Sequence, residues 1–243
     1  MIRVSDLRKS FAEVEAVAAV SFTAENGEIT GLLGPNGAGK STTLRMIASL
    51  LKADDGRILI DDVDIAKDPI EARRRIGVLS HASGLYPHLT ARENIRYFAV
   101  LHGMSRPQTD RRCDELQSLL DMHDIMDRRA KGFSQGQRLK TALARSLVHA
   151  PKNLILDEPT NGLDVMAVRA LRELLSALRQ SGHCILFSSH VMQEVAMLCD
   201  RVVVIAHGRV VAQGTIEELR AQSAEPNLED AFVKLIGSAE GIN

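Results

Sequence analysis

The sequence predicts an α/β protein whose sheet is interrupted by a block of helices. Short apolar runs recur at strand length, and helical periodicity fills most of the spaces between them. From about residue 83 to 150 the strand pattern disappears and helical spacing dominates. Such alternation indicates a sheet packed by helices, with the helical stretch inserted into it. A chain of 243 residues suits one large domain, or one domain with a sub-domain. Hydrophobic residues reach 45%, enough for a sizeable core, but aromatics only 3%. Leu, Ile, Val, Ala and Met must therefore fill that core.

Along the chain, residues 2–4 and 16–22 read as strands, and 29–33 as a compact apolar strand entering a Gly-rich turn. Helical spacing follows over 40–51. Asp54, Asp55 and Gly56 give a turn signal before a strand at 57–60, and 76–79 reads as a buried strand. The middle block contains helical patterns at 91–102, 109–120 and 137–149. Strands return at 153–157 and 183–188. Between these two lies a helix at 165–180, with Leu171, Leu174, Leu175 and Leu178 on one face. A closing hairpin is expected from 202–206 and 210–213 around His207 and Gly208. Residues 215–237 read as helices packed on the sheet.

Bulk properties remove several function classes. A formal charge of −1, from 30 basic and 31 acidic residues, argues against a nucleic-acid partner. The short clusters Arg73-Arg74-Arg75 and Arg128-Arg129 read as solvated helix faces. Cys113, Cys184 and Cys199 are far apart and form no CxxC pair, which fits a reducing compartment. The opening residues lack the apolar stretch of a signal peptide, and no run has the length of a membrane helix. Any link to a membrane is expected to run through a partner.

The strongest single motif spans Gly34, Pro35, Asn36, Gly37, Ala38, Gly39, Lys40 and Ser41, which match G-x-x-x-x-G-K-[ST] in full. Its context is right, since an apolar strand precedes it and a helix follows. The glycines let the backbone wrap around phosphates with successive N–H groups turned inward, and the helix end adds positive potential. Lys40 is expected to reach the β- and γ-phosphates, and the Ser41 hydroxyl to ligate Mg²⁺. Thr42, next along, is counted with the nucleotide-contacting residues.

Residues 153–156 form an apolar strand that delivers Asp157 and Glu158 at its C-terminal edge, where ligands sit in open α/β sheets. Asp157 would hold Mg²⁺ through water, and Glu158 would serve as general base for the attacking water. Ser134 precedes a strong helical pattern and is a good N-cap, so Ser134, Gln135, Gly136 and Gln137 mark a helix N-terminus able to face an anion. His190 follows the strand at 183–188, a place from which it could contact a γ-phosphate. Taken alone, a His at a strand end is ordinary.

In this order and spacing, the pieces resemble an ABC-type ATPase over essentially the whole chain. Gly34 to Ser41 resembles the Walker A motif, Leu154 to Glu158 the Walker B motif with its catalytic Glu, and Phe133 to Gln137 the family signature LSGGQ. Asn161, Gly162, Leu163 and Asp164 resemble the D-loop, and His190 the switch histidine. The resemblance implies a P-loop NTPase core with a mixed β-sheet, an N-terminal antiparallel β-subdomain and an inserted helical subdomain. On that reading, 1–82 and 151–214 form the nucleotide-binding core, 83–150 the signature subdomain and 215–243 a short helical tail. It also implies ATP and Mg²⁺ as ligands, with Glu158, His190 and Lys40 catalytic. Two cassettes, as a homodimer or heterodimer, would close head to tail around two ATP and move a separate membrane permease from the cytoplasmic face of the cell membrane. Ser134 and Gly136 would act in trans, and Asp164 would carry contacts across the interface. Phe11 falls where the family stacks an aromatic ring on adenine; the alternative is a core residue.

The chain departs from the family pattern at three positions. Phe133 replaces the first Leu of the signature, Gln135 replaces its first Gly, and His81 stands at the Q-loop position usually held by Gln. A His offers a titrating ring nitrogen in place of an amide oxygen, so His81 either makes nucleotide coupling pH-sensitive or packs locally. Residues 82–103 lie where such cassettes receive the permease's coupling helix, and Tyr86, Pro87, Leu89 and Tyr97 either line that groove or pack the helical block. The tail at 227–237 resembles that of cassettes paired with ABC-2-type export permeases, of the NatA sodium- or drug-extrusion type. The alternative is a soluble ABC-type ATPase acting on a non-transport macromolecular partner. Against it stand a single cassette and the lack of sustained heptads.

Overall fold

The computed structural model describes residues 1–80 and 84–239. Its ten strands form one sheet in the order β5-β4-β1-β2-β10-β9-β3-β8-β7-β6. The half that carries the site is parallel: β3 (Ile29–Leu33), β6 (Ile76–Leu79), β7 (Asn153–Asp157), β8 (Cys184–Ser189) and β9 (Arg201–Ala206). These strands are covered on both faces, which is why they read as unbroken apolar runs rather than alternations. Leu32, Ile155, Leu186 and Val203 enter one core, while Leu33, Leu154, Leu156, Phe187 and Val204 enter the other.

The other half is antiparallel, with β1 (Ile2–Phe11) between β2 (Val14–Ala24) and β4 (Asp55–Ile60), and β5 (Val63–Asp64) at the edge. β10 (Arg209–Gly214) pairs antiparallel with β9 and meets β2 at Arg209 and Ala19, joining the halves. Both β1 and β4 are longer than their apolar residues suggest. Register shifts between Val4 and Ser10 break the alternation that would have marked the rest of β1. Asp55 and Gly56, which read as a turn, instead open β4. Gly56 has φ +90°, and a Cβ there would lie 2.5 Å from the Asp6 carbonyl oxygen. The signal belongs to an irregularity within the strand, where glycine permits close backbone approach.

Helices cover the two faces. α1 (Lys40–Ile47) and α2 (Pro69–Arg74) lie on one side, with Met46, Ile47 and Ala72 in its core. On the other lie α3 (Ala91–Leu101), α4 (Arg106–Leu119), α5 (Gln135–Leu147), α6 (Val165–Gln180) and α7 (Met192–Leu198). Ile95, Leu116, Leu143, Leu171 and Val195 carry their apolar faces inward. α8 (Ile216–Ser223) and α9 (Leu228–Ala239) add Leu219, Leu228 and Leu235 to the same core. α1 stops earlier than its spacing predicts because the chain turns at Ser49, which has φ 57°. α5 begins two residues earlier than its apolar pattern, since Ser134 caps it with a reciprocal bond pair to Gln137. α2 escaped the apolar pattern, although Asp68 caps it and Pro69 opens it. α7 was also unread.

The parallel strands and the helical block meet tightly at Gly77. A Cβ there would collide with the Ser146 carbonyl oxygen of α5 and lie 2.9 Å from Leu154 Cδ2. Gly77→Ala is therefore expected to destabilise the fold by about 1–3 kcal/mol. Urea unfolding checks this; an unchanged midpoint would mean that β6 and α5 separate readily.

Candidate active site

The phosphate loop leaves the buried strand β3 and bends through Gly37 (φ +83°) and Gly39 (φ +102°), where L side chains are strained. Gly39 is the N-cap of α1, and a Cβ on it would come within 2.5 Å of the Ala16 carbonyl oxygen. Two backbone bonds brace the loop: Gly208 N donates to Ala38 O at 3.0 Å, and Ala18 N to Gly208 O at 2.8 Å. The loop thus rests on β2 and on the β9–β10 turn. Pro35, Asn36 and Gly37 face outward, whereas Ala38, Gly39 and Lys40 are buried, and Ser41 and Thr42 are half-buried.

Lys40 turns back over its own loop. Its Nζ donates to Gly34 O at 2.7 Å and to Pro35 O at 3.0 Å. Burial lowers its pKa, while Glu158 and Asp157 pull it back up. The ammonium is thus held between loop carbonyls and the field of two carboxylates.

Those carboxylates sit where β7 ends. Asp157 Oδ1 accepts from Ser41 Oγ at 3.2 Å and from Ser188 Oγ at 2.7 Å. Ser188 lies opposite Asp157 in the parallel ladder, so register alone puts it there. Its hydroxyl also accepts from Glu158 N at 3.0 Å. Glu158 has φ 49°, in the left-handed region that non-glycine residues seldom adopt. Its Oε1 is 3.1 Å from His190 Nδ1. Glu158, Asp157, Lys40, Ser41 and His190 thus converge, although 150 positions separate Lys40 from His190 in the chain.

Sequence reasoning missed the residues beneath this cluster. Glu194 on α7 accepts from Thr160 Oγ1 at 2.6 Å and from Ser189 Oγ at 2.9 Å, pinning the loop after β7 to the end of β8. Ser188 and Ser189 immediately precede His190 in the sequence, but only strand register assigns their partners.

A second group stands on α5 and α6. Ser134 Oγ accepts from Gln137 N at 3.2 Å, and Asp164 caps α6 by accepting from Ala167 N at 2.8 Å. A Cβ on Gly162 would lie 3.5 Å from Gln135 Nε2, and one on Gly136 would lie 3.6 Å from Ala167 Cβ. The two helix N-termini are therefore neighbours. Ser134, Gln135 and Asp164 are exposed, and Phe133 is buried beneath them with Arg128 5.9 Å above its ring. Phe11 ends β1 at the surface, 47% exposed, so it is not a core residue; Lys9 Nζ stands 5.6 Å from its ring. His81 lies outside the described residues.

A glycine-bent loop holding a lysine against two strand-end carboxylates, at the C-terminal edge of a parallel sheet, defines a P-loop nucleotide-hydrolysing ATPase. The family profile for the ABC transporter matches residues 17–161, and the chain belongs to that family. It is 44% identical to the ABC transporter ATP-binding protein NatA of Bacillus subtilis, over 96% of this chain and 97% of that one. The linearmycin resistance ATP-binding protein LnrL of the same organism is 32% identical, over 100% and 81% respectively. Among solved structures, the dimeric post-hydrolysis cassette MJ0796, bound to ADP and Pi, superposes with a TM-score of 0.79 at 25% identity, over 88% of this chain and 98% of that one. The chain is an ATP-binding, ATP-hydrolysing transporter cassette.

Ser188 offers a direct test of the carboxylate cluster. Ser188→Ala removes one of the two hydroxyl donors to the half-buried Asp157 Oδ1, and leaves the Glu158 N–H only its 3.2 Å bond to the Ser188 carbonyl, so a loss of about 1 kcal/mol is expected in chemical denaturation. The ATPase rate should fall as well. An unchanged rate would mean that the position of Glu158 does not depend on this hydroxyl.

Proposed function

We propose that the chain dimerises head to tail around two ATP and drives a separate membrane permease in export, from the cytoplasmic face of the cell membrane. The observation that carries this is the exposure of the second group. Val165 is 83% and Met166 72% exposed, beside Ser134, Gln135 and Asp164 and next to two helix N-termini. An apolar pair beside two positive helix ends suits a partner that brings the phosphates of its own nucleotide. The dimeric state of the MJ0796 cassette supports the arrangement. In this reading 1–82 and 151–214 are the nucleotide-binding core, 83–150 the signature subdomain and 215–243 the tail.

Within one protomer, Gly34 to Gly39 would cradle the phosphates with backbone N–H groups, and Thr42 would contact them from the first turn of α1. Phe11, exposed on the β1–β2 hairpin, is placed to stack on adenine. Lys40 would exchange the carbonyls of Gly34 and Pro35 for the β- and γ-phosphates, a stronger charge-assisted pairing. Ser41 and Asp157 present hard oxygen donors. Mg²⁺ held there would offset charge on the β- and γ-phosphates. Glu158 would orient and deprotonate the attacking water, with His190 fixing its carboxylate and reaching the γ-phosphate.

No helix among the described residues is long and apolar enough to cross a membrane. Tyr86 and Tyr97, 43% and 44% exposed, meet edge to face at 5.1 Å, with Val100 and Leu101 exposed along α3. This apolar face is the proposed seat of the permease, with Pro87 and Leu89 at its margin. Export is supported by the tail at 227–237 and by the resistance role in the name of the linearmycin relative.

Glu158→Gln should lower ATP turnover by about 10²–10⁴-fold while binding persists. Light scattering behind size-exclusion chromatography should then show monomer without nucleotide and dimer with Mg-free ATP. A variant that hydrolyses at the wild-type rate would remove Glu158 from its role, and one that stays monomeric with ATP bound would defeat the homodimer. Lys40→Ala should weaken ATP binding by about 10–100-fold in a fluorescent-nucleotide titration.

A further inference from the structure

A basic cavity lies at the opposite end of the parallel strands from the carboxylate cluster. It occupies about 420 Å³ where α2, the end of α3, α4 and the chain after α5 come together. Arg74 reaches it from α2, Arg111 and Arg112 from α4, His102 from the C-cap of α3, and His149 from beyond α5. Three guanidiniums thus line one cavity against a single carboxylate, Glu115, in a chain whose overall charge is −1.

These groups are incompletely satisfied by the protein. Arg111 is exposed with no carboxylate partner among the described residues, and Arg74 is no nearer than 3.6 Å to Glu71. Arg112 binds Glu115 at 2.8 Å and the Leu147 carbonyl at 3.0 Å, yet its buried Nε lacks a hydrogen-bond partner. His149 Nε2 stands 2.9 Å from Ile76 O. Since a carbonyl only accepts, Nε2 carries the proton, and the buried Nδ1 is left as a lone pair without a partner. The His102 and His149 rings stack at 3.6 Å, only 7° from parallel. Two cations in that geometry would repel, so one ring must stay neutral unless an anion sits beside them.

We propose that this cavity is a binding site for the phosphate group of a small ligand, held by Arg74, Arg111 and Arg112 with the His102–His149 pair against it. Planar guanidiniums match phosphate oxygens bidentately. Both orphaned atoms are shielded from solvent, so with a small shift of the side chains a phosphate oxygen supplies the acceptor that Arg112 Nε lacks and, once His149 is protonated, one for Nδ1–H as well. Met104 and Val148 provide apolar wall beside the charged one, which gives room for the organic part of a phosphate ester. Arg74 comes from the helix that precedes β6, and Arg111 and Arg112 from the helical block. A bound phosphate would therefore tie the helical block to the sheet.

The site predicts a specific proton linkage. Burial, the neighbouring His102 and Arg112 hold His149 down to about 4, and burial with Arg74 lowers His102 as well; Arg111 adds further positive charge, and Glu115 opposes it. Phosphate favours the charged imidazolium, so its binding must raise the His149 midpoint, with proton uptake as pH falls toward that midpoint.

The test follows the histidine ring resonances of the full chain by NMR, with His149 assigned from His149→Gln. Inorganic phosphate and glycerol phosphate are titrated separately. Expected is a saturable shift of the His149 signal with a dissociation constant below about 1 mM and a raised titration midpoint. In the double variant Arg74→Ala/Arg111→Ala, affinity should fall at least about tenfold, with the ATPase rate retained. Tighter binding of glycerol phosphate identifies an organic ester as the natural class, and equal binding identifies free phosphate. A His149 signal unmoved by either compound up to about 10 mM would overturn the proposal, as would a shift of equal affinity in the double variant.

Discussion

One carboxylate oxygen organises the active site. Asp157 Oδ1 accepts from Ser41 at the start of α1 and from Ser188 on the neighbouring strand. It joins three pieces of chain that are remote in sequence. That junction exists only if β3, β8 and β7 keep their parallel register, with Leu33 opposite Ser189 and Asp157 opposite Ser188. A slip of one residue would turn each of these side chains to the other face of the sheet. Both faces are buried, so such a slip would also invert two hydrophobic cores. Packing of Leu, Ile and Val thereby fixes a hydrogen bond between hydroxyl and carboxylate.

The antiparallel half of the sheet has a different task. It leaves Phe11 exposed at the end of β1, and β2 supplies the shelf on which the Gly34–Gly39 loop rests. Gly39 fits against Ala16, and the β9–β10 turn is stitched between Ala18 and Ala38 by its Gly208 backbone. His207 and Gly208 both have positive φ, 49° and 70°, as a two-residue hairpin turn requires. The loop is held by backbone contacts to two strands, which leaves its own N–H groups available for a ligand.

Legibility in the sequence tracked burial. Residues 29–33, 76–79 and 153–157 were read in full, because strands covered on both faces are uninterrupted apolar runs. β1 was read only to Val4, because beyond it irregular pairing and an exposed face erase the alternation. The contiguous motifs from Gly34 to Ser41 and at Asp157-Glu158 were plain. Ser188, Thr160 and Glu194 were not, since their roles arise from register and from a short helix, α7, with little periodicity of its own. The cap at Ser134 was visible as chemistry, but its proximity to Gly162 and Ala167 was not. That contact depends on how two helices meet.

The left-handed backbone at Glu158 has an evolutionary consequence. A glutamate held at φ 49° costs the fold on the order of 1 kcal/mol that glycine would not incur at the same place. Selection for folding yield alone would therefore drift toward Gly or Asn at this position and discard the carboxylate. On the proposed role of Glu158 as general base, the strain persists only while turnover is under selection. A lineage that loses its need for hydrolysis would show it here first, as a cassette that is sturdier and silent.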